Sequence, residues 1–174
     1  GTIAGKLEKK KNIEIVVVTG DLDALQLVGP RLKVYSMKKG ISDTVIYDAE
    51  AVKNRYGLKP AQLVDFKGLR GDPSDNIPGV KGIGEKGAAE LIKTFGSIEG
   101  VYKALRKGNK KITKSVADKL RAGEEDAKFS RALATIQKNV PLKISFDKMR
   151  WSVGNDMEIK SIFQQFGFWS LLKR

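Results

Sequence analysis

Residues 71–86 decide the fold of this chain, and they read Gly71-Asp72-Pro73-Ser74-Asp75-Asn76-Ile77-Pro78-Gly79-Val80-Lys81-Gly82-Ile83-Gly84-Glu85-Lys86. Asp72 and Asp75 stand three residues apart, a spacing at which two carboxylates can share a divalent cation. The glycines that follow open a helix, where backbone N–H groups can reach a phosphate. The stretch therefore predicts a cation site next to a phosphate-binding hairpin. The alternative for the aspartates is that Asp72 or Ser74 only forms a turn with Pro73.

The hairpin begins at Gly79, and its glycines and its other residues have different predicted roles. Gly82 and Gly84 can adopt positive φ and allow close approach of the backbone, so that consecutive amides can point at one phosphate. The remaining predictions concern side chains: burial between two helices for Val80 and Ile83, and positive charge beside the phosphate for Lys81 and Lys86. Such a contact is independent of base sequence and sensitive to salt. The alternative is a plain glycine turn between two helices.

The fifty residues at the start of the chain have α/β character. A helical pattern over residues 1–10 precedes a nearly continuous β-branched run at 13–19, which predicts a buried strand of a parallel sheet. A short helix at 24–28 and two further strands at 32–37 and 44–47 follow, with a turn at 38–40. The pattern predicts a small sheet with helical connections.

The chain then becomes helical. Helices are predicted at 49–56 and 60–69, then after the hairpin, then from Ile98 with Ser97 as its N-cap, and near 112–121 and 124–137. Residues 140–146 are expected to be extended, and Ile159, Ile162, Phe163 and Phe166 share one face of a last helix. We therefore divide the chain into residues 1–50, 51–140 and 141–174.

A second pair of aspartates, Asp21 and Asp23, follows the first predicted strand. Ligands bind at the carboxyl ends of strands in open parallel sheets, and oxygen-only ligands suit Mg²⁺ or Mn²⁺. The alternative is that Asp21 caps a short helix that begins at Leu22. Two such pairs beside a phosphate clamp favour metal-assisted phosphodiester hydrolysis, in which carboxylates hold two cations.

Composition limits the chemistry and the partners. The 174 residues include no cysteine and no histidine, which excludes disulfides, thiolate metal sites and imidazole catalysis. The 33 Lys and Arg against 20 Asp and Glu give a net charge of +13, which attracts polyanions. The alternative is a lysine-rich surface that serves solubility alone. No apolar run is long enough for a membrane span, and the absence of an initial Met leads us to expect a piece of a longer protein.

Three motifs together resemble one known family. The segments 20–27, 71–76 and 79–86 are similar to the 5′-nuclease domains of bacterial DNA polymerase I, which belong with the flap endonucleases. Residues 56–60, 64–66 and 166–172 are also typical of these domains, so the resemblance spans nearly the whole chain. It implies the α/β remnant of a PIN-like parallel sheet, followed by a mainly α helix-hairpin-helix module, with residues 141–174 packing back on the core.

The resemblance also implies an activity and a set of ligands. The activity is that of a cytoplasmic 5′→3′ exonuclease and flap endonuclease of DNA replication and repair, which binds duplex or flap DNA through the hairpin. Metal-activated water attacks the phosphate, with Asp21, Asp23, Asp72 and Asp75 as ligands for Mg²⁺ or Mn²⁺. Hairpin carbonyls of this family can hold K⁺, here near Val80 and Ile83. The residues that the resemblance implies for DNA binding are Gly79, Lys81, Gly82, Ile83, Gly84 and Lys86.

The family pattern extends beyond this sequence at both ends. The carboxylates for the first metal, the first strand and the flap-threading arch are expected before Gly1, and a polymerase module after Arg174. We therefore expect the fragment alone to be inactive. Two alternatives stay open: a non-catalytic helix-hairpin-helix DNA-binding module, and an RNA-processing nuclease of the wider PIN-like class, which usually lacks this hairpin.

Overall fold

The computed structural model describes residues 1–37, 44–151 and 155–173. The chain divides into two compact units, Gly1–Val140 and Pro141–Arg174. Among the described residues, no helix combines the length and the apolar character that crossing a lipid bilayer requires.

The first unit opens with a helix and a three-stranded mixed sheet. Helix α1 spans Thr2–Glu8, and the strands are β1 (Ile15–Thr19), β2 (Leu32–Met37) and β3 (Thr44–Tyr47). Strand β1 runs parallel to β2, with Ile15 opposite Leu32, and β2 runs antiparallel to β3. A 3₁₀ helix at Leu22–Leu27 connects the two parallel strands. The predicted sheet is confirmed, while the predicted turn at 38–40 lies outside the described residues.

Strand β1 is only half buried, which corrects the prediction of a fully buried strand. Ile15 is 7% exposed, whereas Val16 and Val18 are 53% and 60% exposed. Successive side chains of a strand point to opposite faces of the sheet. One face of β1 therefore packs on the core, and the other face, which carries Val16 and Val18, is exposed.

The rest of the first unit is helical. The helices are α2 (Ala49–Tyr56), α3 (Leu63–Arg70), α4 (Glu85–Phe95), α5 (Ile98–Arg106), α6 (Lys114–Ala122) and α7 (Glu124–Ala134). Short 3₁₀ helices at Pro60–Gln62 and Pro73–Asp75 precede and follow α3. The predicted cap at Ser97 is confirmed, because its side chain accepts a hydrogen bond from the Gly100 N–H. The prediction at 60–69 was wrong in one detail, since its first turn is a separate 3₁₀ helix.

Close packing holds α3 in place, and α3 is the last α-helix before the hairpin. A Cβ added at Gly68 would lie 2.5 Å from the Ile98 side chain on α5 and 3.1 Å from the Ala127 carbonyl oxygen on α7. The lack of a side chain at Gly68 therefore allows α3 to approach both helices. Val80 and Ile83 of the hairpin are 2% and 6% exposed and belong to the same core, which confirms their predicted burial.

The second unit contains a helix α8 (Asp156–Gln165) between two 3₁₀ helices at Phe146–Met149 and Trp169–Lys173. Phe168 contacts the rings of Phe163 and Phe166. Phe166 is the C-cap of α8 and lies just beyond the helix that was predicted to include it. The three-part division of the chain and the packing of its last part stay predictions.

Candidate metal and nucleic-acid site

A cavity of about 480 Å³ lies at the carboxyl end of strand β1. The 3₁₀ helix after β1 contributes one wall, and the end of α3 with the 3₁₀ helix after it contributes another. The cavity is lined by Gly20, Asp21, Leu22, Asp23, Arg55, Tyr56, Lys67, Arg70, Asp72, Ser74, Asp75 and Glu85. All four aspartates that the sequence singled out therefore face one space, although some 50 residues separate the two pairs.

Two of these aspartates converge on one cation. Lys67, in the last turn of α3, forms ion pairs with Asp23 and Asp72, the latter at 2.7 Å from Nζ to Oδ2. The three side chains are largely buried, with exposed fractions of 14 to 18%. Oxygen atoms from two distant segments of the chain thus share a single positive charge.

Asp21 and Asp72 also act as helix caps, as the alternative interpretation of the aspartates predicted. Asp21 Oδ1 accepts a hydrogen bond from the Asp23 N–H at 2.8 Å and caps the 3₁₀ helix Leu22–Leu27. Asp72 Oδ1 accepts from the Ser74 N–H at 3.1 Å and from the Ser74 hydroxyl at 2.6 Å. Capping uses one oxygen of each carboxylate. It leaves Asp72 Oδ2 turned toward Lys67.

The environment of Asp72 stabilises its ionised form. Hydrogen bonds from Lys67 and Ser74 lower the pKa of the Asp72 carboxyl group from 3.8 to about 2, against a smaller opposing effect of burial. Hydrogen bonds to a carboxylate favour the charged form over the neutral acid. Asp72 is therefore an anion at any physiological pH.

Asp75 is exposed on the cavity wall, and its N–H donates to the Asp72 carbonyl oxygen at 3.1 Å. Across residues 1–37, 44–151 and 155–173, no three acidic side chains come together as one metal-binding group. The structure thus pairs Asp23 with Asp72 and places Asp21 and Asp75 on the wall around them.

The donor set of this cavity fits a hard divalent cation. Lys67 shows that Asp23 and Asp72 can direct oxygens at one positive charge, and both donors are carboxylates. Mg²⁺ commonly binds through one or two carboxylates, keeping several waters and adding substrate phosphates. Two protein carboxylates are therefore sufficient for a site of that kind.

The hairpin after this cavity depends on glycine at two positions of positive φ. Gly79 has φ +63°, and a Cβ there would lie 2.2 Å from the backbone nitrogen of Gly71. Gly82 has φ +82°, as predicted. Gly84 does not use this freedom: its φ is −87°, because it is the extended N-cap residue of α4.

Two buried hydrogen bonds anchor the hairpin. The Val80 N–H donates to the Leu69 carbonyl oxygen on α3 at 2.8 Å. The Gly79 N–H donates to the hydroxyl oxygen of Ser130, a fully buried residue of α7, at 2.9 Å. The hairpin is therefore hydrogen-bonded to both α3 and α7.

The outer surface of the hairpin is exposed and basic. Lys81, Gly82, Gly84 and Lys86 are all exposed, and the N-cap Gly84 has no side chain to cap α4. The first N–H groups of a helix lack intrahelical partners, and they favour anions. Lys119 of α6 adds a further positive charge, since its Nζ donates to the Gly82 carbonyl oxygen at 3.1 Å.

Two carbonyl oxygens of the hairpin, near the predicted potassium site, already accept hydrogen bonds within the protein. The Val80 carbonyl oxygen accepts a hydrogen bond from the Ile83 N–H at 2.9 Å, and the neighbouring Gly82 carbonyl oxygen accepts from Lys119. A carbonyl oxygen has two lone pairs and can accept a second partner. The K⁺ site near Val80 and Ile83 stays a prediction.

Sequence reasoning missed several residues of this site, among them Lys67, Arg70 and Ser130. Lys67 stands five residues before Asp72 and Arg70 two residues before it, and neither belongs to a ligand spacing. Ser130 lies 51 residues from the Gly79 N–H that it accepts. The one signal that could have indicated Lys67 is a basic residue in the last turn of a helix before an acidic motif.

Comparison with known proteins identifies the family. Residues 58–156 match the family described as 5′-3′ exonuclease, C-terminal SAM fold. DNA polymerase I of Bacillus caldotenax is 40% identical over 176 residues, which cover all of this chain and 19% of that protein. The chain thus spans about a fifth of the length of this relative.

Solved structures share the fold. Bacteriophage T5 5′-exonuclease with bound zinc is 22% identical with a TM-score of 0.64, and the match covers 76% of this chain and 47% of that one. The T5 flap endonuclease in a complex with DNA and metal ions is 22% identical with a TM-score of 0.63, over the same shares of both chains. The family match covers more than half of the residues of this chain. The chain therefore belongs to the 5′-3′ exonuclease family of C-terminal SAM-fold domains.

Proposed function

We propose that this chain is part of a structure-specific 5′→3′ exonuclease and flap endonuclease domain that cleaves DNA by two-metal phosphodiester hydrolysis. One observation supports the proposal. Asp23 and Asp72 both contact the ammonium group of Lys67 in a cavity, and the chain continues from the wall of that cavity into the basic glycine hairpin. The cavity supplies carboxylates for the reaction, and the hairpin supplies a grip on the nucleic-acid backbone.

The hairpin is the proposed duplex-binding element. Lys81 and Lys86 are charged and exposed, and the uncapped start of α4 offers N–H groups to a phosphate. These groups read the backbone and not the bases, so the contact is independent of sequence. The solved complex of the T5 flap endonuclease with DNA supports a DNA substrate. Gly79, Gly82, Ile83 and Gly84 set the backbone path that exposes these groups.

Asp23 and Asp72 are the proposed ligands of one divalent cation, Mg²⁺ or Mn²⁺, with Asp21 and Asp75 as further donors on the cavity wall. Bound there, the metal would lower the pKa of a water nucleophile and stabilise the leaving oxygen. The chain's own residues orient the site: Ser74 fixes the Asp72 carboxylate, and Asp23 donates its N–H to Asp21. Arg55 and Arg70 line the same cavity and offer positive charge to a phosphate.

The complete activity is proposed for a protein longer than this chain. A two-metal site needs more carboxylates than the pair that converges here, and we expect the other donors, like the polymerase module, from segments outside this chain. We therefore expect the chain alone to bind DNA but to cleave it slowly or not at all. The proposed setting is DNA replication and repair, where 5′ flaps and primers are removed.

A titration with Mn²⁺ tests the proposal against its rival, a DNA-binding module without chemistry. The capping roles of Asp21 and Asp72 favour that rival, because caps alone explain those two residues. We expect Mn²⁺ to bind the wild-type chain at millimolar or lower concentrations, and Asp23→Asn with Asp72→Asn to abolish that binding. Equal Mn²⁺ binding by the double variant would favour the rival.

A further inference from the structure

The ammonium group of Lys67 lies between the carboxylates of Asp23 and Asp72. It contacts one oxygen of Asp23, from the connection after β1, and one oxygen of Asp72, from the turn after α3. Its side chain is 16% exposed, so it is held within the cavity wall and does not extend into solvent. Lys67 therefore joins two segments of the chain through one charge.

The oxygens that contact Lys67 are the ones left over by the rest of the structure. Asp72 Oδ1 accepts two hydrogen bonds from Ser74, and its Oδ2 is turned to Lys67. Asp23 Oδ1 is buried and contacts Lys67 as an ion pair, without a hydrogen bond of good geometry. A metal ion that used these two oxygens would compete with Lys67 for them.

Charge arithmetic explains why a cation is needed here. Two carboxylates that are mostly shielded from water repel each other, and each prefers to be neutral unless a positive charge is near. With Lys67 the group carries a net charge of −1. Without Lys67 it would carry −2 and would attract a divalent cation more strongly.

We propose that Lys67 is the internal counter-cation of this site, which holds Asp23 and Asp72 together when no divalent cation is bound and gives way when one binds. The inference rests on the metal site of the proposed function. The flexible four-carbon stem of lysine lets the ammonium group turn into the cavity while α3 stays in place. Lys67 is thus a positioning residue that competes with the metal for its ligands.

The test compares Lys67→Met with Lys93→Met, which removes an exposed lysine from the last turn of α4. Free Mn²⁺ is measured by electron paramagnetic resonance during titration, and the melting midpoint is measured with EDTA and with Mn²⁺. We expect Lys67→Met to bind Mn²⁺ about tenfold more tightly than wild type, since a positive charge near the metal is lost. In EDTA its midpoint should fall by about 3 °C or more, and saturating Mn²⁺ should close that gap.

Lys93→Met should change neither quantity by more than about twofold or 1 °C, because its charge lies outside the cavity wall. Lys67→Arg keeps a positive charge at the site and should bind Mn²⁺ within about threefold of wild type. If Lys67→Met does not fold, the Lys67→Arg titration still decides, since tighter binding by that variant contradicts competition by charge.

Three results would overturn the inference. Equal Mn²⁺ affinity in wild type and Lys67→Met would remove the competition and leave the proposed metal site intact. A stability loss that Mn²⁺ does not close would show that Lys67 has a structural role only. Failure of Mn²⁺ to bind to either protein would contradict both the inference and the proposed metal site.

Discussion

Asp72 makes a prediction about acid stability at the scale of a single residue. Its folded pKa, about 2, is lower than the ordinary value of 3.8, so ionised Asp72 stabilises the folded state. That contribution is fully present above about pH 4 and is lost as the pH falls toward 2. The shift corresponds to about 2 kcal/mol.

Denaturant unfolding at pH 6 and pH 3 measures this contribution. Asp72→Asn should lower the free energy of unfolding at pH 6, and the loss of stability between pH 6 and pH 3 should be smaller in the variant than in wild type. An identical acid dependence of the two proteins would contradict the assigned role of the Lys67 and Ser74 hydrogen bonds.

A single methyl group added at Gly79 is expected to lower the stability of the fold strongly. Gly79→Ala would place a Cβ 2.2 Å from the Gly71 nitrogen at a φ of +63°, and the backbone would have to shift. We expect a loss of more than about 3 kcal/mol of unfolding free energy. Chemical denaturation followed by circular dichroism measures it.

Gly87→Ala is the matched control for Gly79→Ala. Gly87 lies in the first turn of α4, and a Cβ there would meet only Ile83 Cγ2 at 3.9 Å, an ordinary contact. Alanine in a helix is favoured over glycine by roughly 0.5 to 1 kcal/mol, so this variant should be slightly more stable than wild type. Similar losses in both variants would mean that backbone crowding is not what requires Gly79.

The position of single residues around the cavity was predictable where a local sequence pattern marks them, while their role as metal ligands stays a prediction. Asp21, Asp23, Asp72 and Asp75 follow from spacing and from their positions after a strand and before a hairpin, and all four line one cavity. The pairing through Lys67 was not predictable, because it joins two segments that only the fold brings together.

At the scale of elements, the hairpin depends on a hydrogen bond that it donates to helix α7. The Ser130 hydroxyl group, fully buried on α7, accepts the Gly79 N–H. Ser130→Ala should destabilise the chain by about 1 to 3 kcal/mol, because it leaves a buried N–H without a partner. Thermal unfolding measures the loss, and we expect DNA affinity to fall with it.

Ser115→Ala provides the comparison for Ser130→Ala, since Ser115 is an exposed residue of α6. Its effect should stay within about 0.5 kcal/mol. A loss in Ser130→Ala no larger than that of Ser115→Ala would show that the hairpin does not need this anchor.

The hairpin as an element also predicts the salt dependence of DNA binding. Lys81→Ala and Lys86→Ala should each weaken binding to any duplex and reduce the slope of log K against log salt by about 1. Fluorescence anisotropy with duplexes of different sequence measures both quantities. Lys93→Ala, at the other end of α4, should leave the slope unchanged. An effect that depends on base sequence would contradict a backbone clamp.

The elements were largely predictable, and the exceptions have physical causes. Helix α2 and strands β2 and β3 have the predicted bounds, since their periodicity and flanking residues agree. The prediction of full burial was wrong for β1, because a run of β-branched residues does not show which faces the rest of the chain covers. Gly84 shows that glycine permits positive φ without requiring it.

At the scale of the whole molecule, a net charge of +13 and one acidic cavity have complementary roles. In the proposed function, we expect the excess of lysine and arginine to attract a nucleic acid from a distance and the hairpin to hold its backbone. The cavity concentrates carboxylates beside that hairpin. A metal-dependent nuclease requires positive charge for the phosphates and carboxylates for the metal ions, and the proposed function assigns these two roles to the hairpin and the cavity.

The most direct test of the central claim measures cleavage in a complete domain that contains this chain. This chain replaces the matching segment of Bacillus caldotenax DNA polymerase I, to which it is 40% identical. A labelled 5′-flap DNA is then incubated with the hybrid protein and Mg²⁺ or Mn²⁺. Cleavage by the hybrid, lost by at least about a hundredfold in Asp23→Asn and Asp72→Asn but kept in Lys93→Met, is the predicted result. Full flap cleavage in the Asp23→Asn and Asp72→Asn hybrids would contradict the account.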